Sequence, residues 1–205
     1  MTSGHSDGET QQDDERMKNY KIVLASGSPR RKELLAGLGV DFEVRLLDGI
    51  DESYPKGLNG EEIAAHISSK KAAAYKDSLM PNELIITADT IVYLEGTVLG
   101  KPKDEEEART MLKSLSGKTH EVITGVTLMT TTKQQTFASV SKVSFAQLTD
   151  NEIDHYVTHF HPTDKAGAYG IQEWIGFVGV ERIEGSYFNV MGLPVQRLYQ
   201  ELKKL

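Results

Sequence analysis

With 205 residues, 39% hydrophobic and 26% charged, the chain is long enough for one substantial domain or a two-lobed one. Its net charge of −7 includes −4 in residues 1–16, so the remainder is only mildly acidic and lacks the basic face that broad nucleic-acid binding needs. Cysteine is absent, which excludes disulfides and thiolate zinc sites, and there is no transmembrane-length apolar run or signal pattern. A soluble cytoplasmic protein without membrane or nucleic-acid partners is expected.

Residues 1–20 are polar and aperiodic and read as a disordered tail, leaving 21–205 as a single domain. Ile22 to Ala25 reads as a short buried strand, followed by a tight Ser26-Gly27-Ser28 loop. Ser28 suits a helix N-cap and Pro29 the first helical position, with apolar residues at Leu34, Leu35 and Leu38 behind them. Arg30, Arg31 and Lys32 then fall in the first helical turn, where the dipole is already positive and acidic residues are favoured. A phosphate would resolve that conflict, bound by loop amides, the Ser26 and Ser28 hydroxyls, the helix end and the two guanidinium groups.

Phe42 to Leu46 alternates as a strand, and residues 48–55 form an acidic loop. Asn59 caps a helix from Gly60 to about Asp77 with Ile63, Ile67, Ala74 and Tyr75 facing inward. Lys70 and Lys71 on that helix read as ordinary surface lysines. Leu84 to Leu94 is the most strand-like run, apolar enough to be buried on both faces. Asp89 interrupts it. A carboxylate there is costly unless it is paired, hydrogen-bonded or metal-bound, so Asp89 is a candidate metal ligand or general base.

Lys101, in Gly100-Lys101-Pro102, is held at the end of the next short strand, where open-sheet ligand sites lie. Asp104 opens a helix to about Leu115. Ser116-Gly117-Lys118-Thr119 is not a P-loop, because Leu112 stands where that pattern needs glycine and the segment leaves a helix to enter a strand. Residues 120–131 and 136–145 read as a hairpin, and Thr149 or Asp150 caps a helix to about His159. His155, His159 and His161 read as a solvated face rather than a metal cluster. Gly167 and Gly170 suit close backbone packing, while the Gln172 amide, both donor and acceptor, suits reading a base edge. Phe177 to Ile183 reads as a strand, Gly185-Ser186-Tyr187 as a turn, and the C-terminus as an amphipathic helix.

Taken together these stretches resemble the Maf-like nucleoside triphosphate pyrophosphatases. The matching residues are Ala25 to Arg31, Ala88 to Val92, Gly100-Lys101-Pro102, Ser116 to His120, Ala166 to Gln172, Gly185-Ser186-Tyr187 and Gly192-Leu193-Pro194. The resemblance implies a mixed α/β fold, an elongated β-sheet flanked by helices, with two lobes around a central cleft. It implies hydrolysis of a nucleoside triphosphate to the monophosphate and pyrophosphate with a divalent cation, Mg²⁺ or Mn²⁺. The Gly-Ile-Gln form is similar to the branch acting on dTTP and UTP, with modified pyrimidine nucleotides as further candidates.

By the same matching, Asp89 is the proton acceptor, and Arg30, Thr90 and Gln172 bear on substrate choice. Ser26, Arg31, Glu52, Lys71 and Lys101 line the cleft, and a mechanism that fits both the residues and the resemblance has the cation held by Asp89 and Glu52. One departure stands out: Glu173-Trp174-Ile175 follows where the family usually has glycines, which bears on base preference more than on the reaction. The alternatives are a pyrophosphatase for modified purine triphosphates, such as methylated GTP or ITP, and a non-catalytic nucleotide-binding regulator of cell division. A homodimer is compatible with the sequence.

Overall fold

The computed structural model describes residues 19–205, so the expected tail over 1–18 lies outside the described residues. Tyr20, placed in that tail by composition, packs partly buried against an apolar cluster.

Strand β3 (Glu83–Leu94) is the spine of the fold, buried along nearly its whole length as its apolar run predicts. Among the described residues it belongs to a seven-stranded mixed sheet. Strand β1 (Lys21–Leu24) pairs parallel with β3 and with β2 (Phe42–Val44). On the other side β5 (Thr119–Met129), β6 (Gln134–Phe145) and the edge strand β7 (Val180–Glu184) follow in antiparallel order. Short β4 (Thr97–Leu99) folds back onto the end of β3.

That pairing pattern opens the cleft. One edge of β3 pairs with β1 over Glu83–Ile86 and with β4 over Val92–Leu94, while the other edge is held by β5 from Ile85 to Tyr93. Among the described residues no strand covers the first edge between Thr87 and Ile91. The Ala25 N–H donates to the Ile86 carbonyl, so the alternation of the ladder turns the Ala88 and Thr90 amides toward the gap.

The apolar contacts are divided at the same place. On one face Leu84, Ile86 and Ala88 join a cluster with Leu34 and Leu35 of helix α1 (Pro29–Ala36). Val92 and Leu94, further along, join another with Leu112 and Leu115 of helix α3 (Glu105–Leu115) and with Ile153 and Val157 of α4 (Asp150–Phe160). Thr90 lies between the two. On the opposite face Ile85 meets Val23 and Tyr75, and Ile91 meets Ile63 and Ile67 of helix α2 (Gly60–Ala73). Thr87 and Asp89 lie between those. Two lobes therefore share one sheet, and the polar residues at its midpoint face both sides of the seam.

Three local expectations change. Helix α2 ends at Ala73, and a short 3₁₀ turn over Lys76–Ser78 follows, so Tyr75 is buried as expected but Ala74 is exposed. Strand β2 stops at Val44, leaving Leu46 exposed. Residues 177–179 lie in helix α5 (Trp174–Gly179), and β7 begins only at Val180, opposite Phe145 at the end of β6. The C-terminal segment forms helix α6 (Tyr187–Met191), capped by Ser186, and the expected terminal helix α7 (Val195–Leu202). No helix among the described residues is long and apolar enough to cross a membrane.

Candidate active site

The N-terminus of α1 forms one wall of the cleft. Ser28 caps it as expected, its Oγ accepting from the Arg31 N–H at 3.4 Å, and the buried Ser26 Oγ accepts from the Ser28 N–H at 3.2 Å. The cations that conflict with the α1 dipole face the carbonyl end of another helix. Arg30 Nε donates to the Met191 carbonyl at 3.3 Å, and Arg31 Nε to the Gly192 carbonyl at 2.8 Å. Two conflicting helix ends thus satisfy each other through two guanidinium groups.

Arg31 is tied further, through Nη1 to Ser26 Oγ at 3.4 Å and Nη2 to Thr90 Oγ1 at 3.1 Å. Burial pulls its pKa down, and the nearby Asp89 charge pushes it back up. Thr90 Oγ1 also lies 2.9 Å from Thr124 Oγ1 and 3.4 Å from the Gly192 carbonyl. Expected to bear on substrate choice, Thr90 sits here inside the network that fixes Arg31. Asn189 secures that network from below, its buried amide reaching the Val122 and Ser139 carbonyls at 3.1 Å, which pins α6 to the sheet.

Asp89 stands at the seam on the α2 side, its side chain 12% exposed. Lys71 Nζ lies 2.8 Å from Asp89 Oδ1 and 2.9 Å from Glu52 Oε1, so two carboxylates converge on one ammonium. Lys71 is therefore not the surface lysine of the helix pattern, whereas its neighbour Lys70 is, reaching out to Asp51 and Ser53. What brings Lys71 to the seam is a glycine. Gly125 lies opposite Asp89 on β5, and a Cβ there would stand 2.1 Å from the Ala64 carbonyl oxygen. Helix α2 rests directly on that bare stretch of strand.

The far wall carries Gln172. The Gly167 N–H donates to the Gly100 carbonyl at 3.1 Å, joining the Lys101 segment to the Gln172 segment. Lys101 itself is exposed, with no ion-pair partner among the described residues. Lys165, 8% exposed, lies 3.1 Å from Glu173 Oε1, whose other oxygen accepts from the Tyr156 hydroxyl at 2.6 Å. That hydroxyl accepts in turn from the Gly170 N–H at 3.0 Å. Below, His120 Nε2 lies 2.6 Å from the Tyr169 hydroxyl, and burial holds the imidazole pKa down to about 4. Among the described residues three buried side-chain atoms have no hydrogen-bond partner: the Gln172 Oε1, the His120 Nδ1 and the Asn189 Oδ1.

The family model described as Maf-like protein matches residues 21–205. The chain belongs to that family. A protein of Phocaeicola vulgatus named dTTP/UTP pyrophosphatase is 63% identical over 191 residues, covering 93% of this chain and 99% of the relative. One from Bacteroides fragilis with the same name is 62% identical over 189 residues, covering 92% and 98%. Among solved structures, a HAM1 protein from Coxiella burnetii is similar with a TM-score of 0.48 at 16% identity, over 91% of this chain and 100% of that one.

In this Maf-like protein the Glu173-Trp174 departure turns away from Gln172. Glu173 is held by Lys165 and Tyr156, and Trp174 packs on the α3–α4 cluster with its ring 4.7 Å from the His155 ring. The three histidines are exposed, as the solvated-face reading expects: His155 and His159 rings lie 4.3 Å apart, and His161 Nδ1 lies 3.0 Å from Glu105. No group of three or more histidine or carboxylate side chains able to hold a metal occurs among the described residues.

Sequence reasoning missed Gly125, Thr124 and Asn189. Gly125 carried a usable signal, since a lone glycine inside a strand marks a close backbone approach. Thr124 and Asn189 carried none, because their partners are more than thirty residues away in the chain.

Proposed function

We propose that this chain is a nucleoside triphosphate pyrophosphatase that cleaves dTTP and UTP to the nucleoside monophosphate and pyrophosphate. The observation that carries the reading is the Asp89–Lys71–Glu52 cluster at the uncovered edge of β3, with Arg31 buried beside it. A carboxylate within a cluster of cations suits in-line attack of water on a polyphosphate. The names of relatives above 60% identity supply the base preference. We infer a cytoplasmic location from the proposed nucleoside triphosphate substrates.

In this mechanism Asp89 accepts a proton from the attacking water as its oxygen bonds to the α-phosphorus. The bond from the α-phosphorus to the bridging oxygen breaks, and pyrophosphate leaves carrying that oxygen. Lys71, Arg30 and Lys101 offset the charge that builds on the phosphate oxygens, while Arg31, with Ser26 and Ser28, holds the α1 loop in place for them. Gln172 pairs with uracil or thymine, its carbonyl accepting from N3–H and its amide donating to a ring carbonyl.

A divalent cation fits the donors present. Asp89 and Glu52 already converge on one positive centre, and Mg²⁺ is commonly held by one or two carboxylates plus substrate phosphates. Bound there, Mg²⁺ or Mn²⁺ supplies charge neutralisation on the triphosphate.

The test is pyrophosphate release from dTTP, UTP, CTP, GTP, ITP and methylated GTP with Mg²⁺ or Mn²⁺, for the wild type and for Asp89→Asn. Selective turnover of dTTP and UTP, lost in the variant, is expected. Turnover centred on a purine would overturn the base assignment. Binding without turnover of any nucleotide would instead favour a regulator.

A further inference from the structure

Beside Gln172 the far wall opens into a groove whose lining includes Gly176, Phe177, Arg182 and Tyr187. Phe177 is 83% exposed, a large apolar ring left in water at the groove's edge. Its backbone is rigidly placed. A Cβ at the preceding Gly176 would stand 1.7 Å from the Ile171 carbonyl oxygen, so α5 is pressed against the loop segment leading into Gln172. Tyr187, 39% exposed, is braced edge-on by Phe188 at 5.8 Å between ring centroids. Tyr187 also opens α6, whose other end accepts from Arg30 and Arg31. That helix spans five residues, so the groove lies about 7.5 Å from the guanidinium pair along its axis.

Two deficits border this groove: Phe177 lacks apolar cover, and the Oε1 of Gln172, itself buried, lacks a hydrogen-bond donor. Because no bond fixes the amide, rotation about its last torsion brings either polar atom to a ligand. A flat ring with apolar faces and a polar edge removes both deficits at once, and a phosphate chain leaving that ring runs along α6 to the arginines.

We infer that Phe177 and Tyr187 form a stacking clamp for the pyrimidine ring of the substrate, with Gln172 at its edge. This rests on the proposed nucleotide substrate and names two residues that neither the sequence pattern nor the relatives' names assign. The rings set affinity for any pyrimidine; Gln172 sets which one. Stacking of a base on one aromatic side chain is worth about 1–3 kcal/mol, or a factor of about 5 to 150 in affinity.

The experiment is calorimetric binding of UMP and dTMP, together with KM for UTP and dTTP, on Phe177→Ala, Tyr187→Ala and Phe177→Trp. Inorganic tripolyphosphate serves as a probe that lacks the base, and melting curves check the fold. Each alanine variant should weaken nucleotide binding and raise KM by about 5-fold or more, leave tripolyphosphate inhibition unchanged and melt normally. Phe177→Trp should restore most of the loss. Unchanged nucleotide affinity in both alanine variants overturns the clamp while turnover leaves the proposed function standing. Loss of tripolyphosphate inhibition in parallel also overturns it. A wild-type dimer that becomes a monomer in Phe177→Ala at unchanged nucleotide affinity shows that the ring covers a second copy of the chain, and the clamp falls. If UMP and dTMP bind in a ring-dependent way but no triphosphate is hydrolysed, the clamp stands and the catalytic reading fails.

Discussion

The two walls of the cleft are built on opposite plans. On the α1–α2 side the polar groups are committed before substrate arrives: Arg31 holds three partners, and Lys71 is shared by Asp89 and Glu52. On the Gln172 side Lys165, Glu173 and Tyr156 are bonded to one another, but the Gln172 amide oxygen has no partner and the Phe177 and Tyr187 rings are exposed. Charged groups at a reacting centre gain from being oriented in advance, since they then need no reorganisation as charge develops. Recognition of a base tolerates an adaptable amide, because the ligand itself supplies the missing hydrogen bond. Catalysis and recognition thus place different demands on the two lobes of one sheet.

The sharpest way to break this comparison is Asp89→Asn. It keeps the shape of the side chain and removes its basicity, so kcat should fall by about 10²–10⁴ while nucleotide binding persists. Steady-state pyrophosphate release and calorimetry on the same preparation separate the two, and turnover near the wild-type level would remove Asp89 from the mechanism.

The next largest effect falls on the support of the Gln172 wall. Burial lowers the His120 pKa from about 6.5 to about 4. Between those values the unfolded chain binds the proton and the folded chain does not, so stability rises with pH across that window. It is fully present above about pH 6.5 and is lost as pH falls toward 4, by at most about 3 kcal/mol. Denaturant melts from pH 7 to pH 4 should show this slope, and His120→Phe should flatten it. An unchanged slope in that variant would assign the acid sensitivity elsewhere.

Gly125→Ala tests the committed wall through packing alone. The added methyl meets the Ala64 carbonyl, so α2 must lift and carry Lys71 away from Asp89. We expect a loss of about 1–3 kcal/mol in stability and a drop in kcat, with the dTTP to CTP preference unchanged. A shift in base preference would show that the walls are coupled. The smallest effect is expected for Trp174→Phe, about 1 kcal/mol in melting free energy with no change in relative kcat/KM among nucleotides. Altered selectivity there would place Trp174 in the base site after all.

Much of this was legible in the chain. The apolar run of β3, the Ser28-Pro29 helix start, the hairpin of β5 and β6, and the isolated Asp89 each declare themselves locally, because period, capping and burial cost depend on near neighbours. Lys71 did not, since surface and site lysines share one helical pattern and only the close approach of α2 to Gly125 separates them. Phe177 was expected in a strand and lies in a helix, and β7 begins only at Val180, opposite the end of β6. The cations of α1 announced an unusual site. Their immediate partners, the carbonyls of Met191 and Gly192, are 161 residues away.

The sequence by itself therefore determined most of the elements and the residues to watch, and its resemblance to a family implied the mixed α/β class. Only the tertiary structure decided which groups meet, because hydrogen bonds and ion pairs across the seam depend on how two lobes are set on one sheet. The uncovered edge of β3 between Thr87 and Ile91 belongs to no single segment. It exists because β1 ends too early and β4 returns too late to close it.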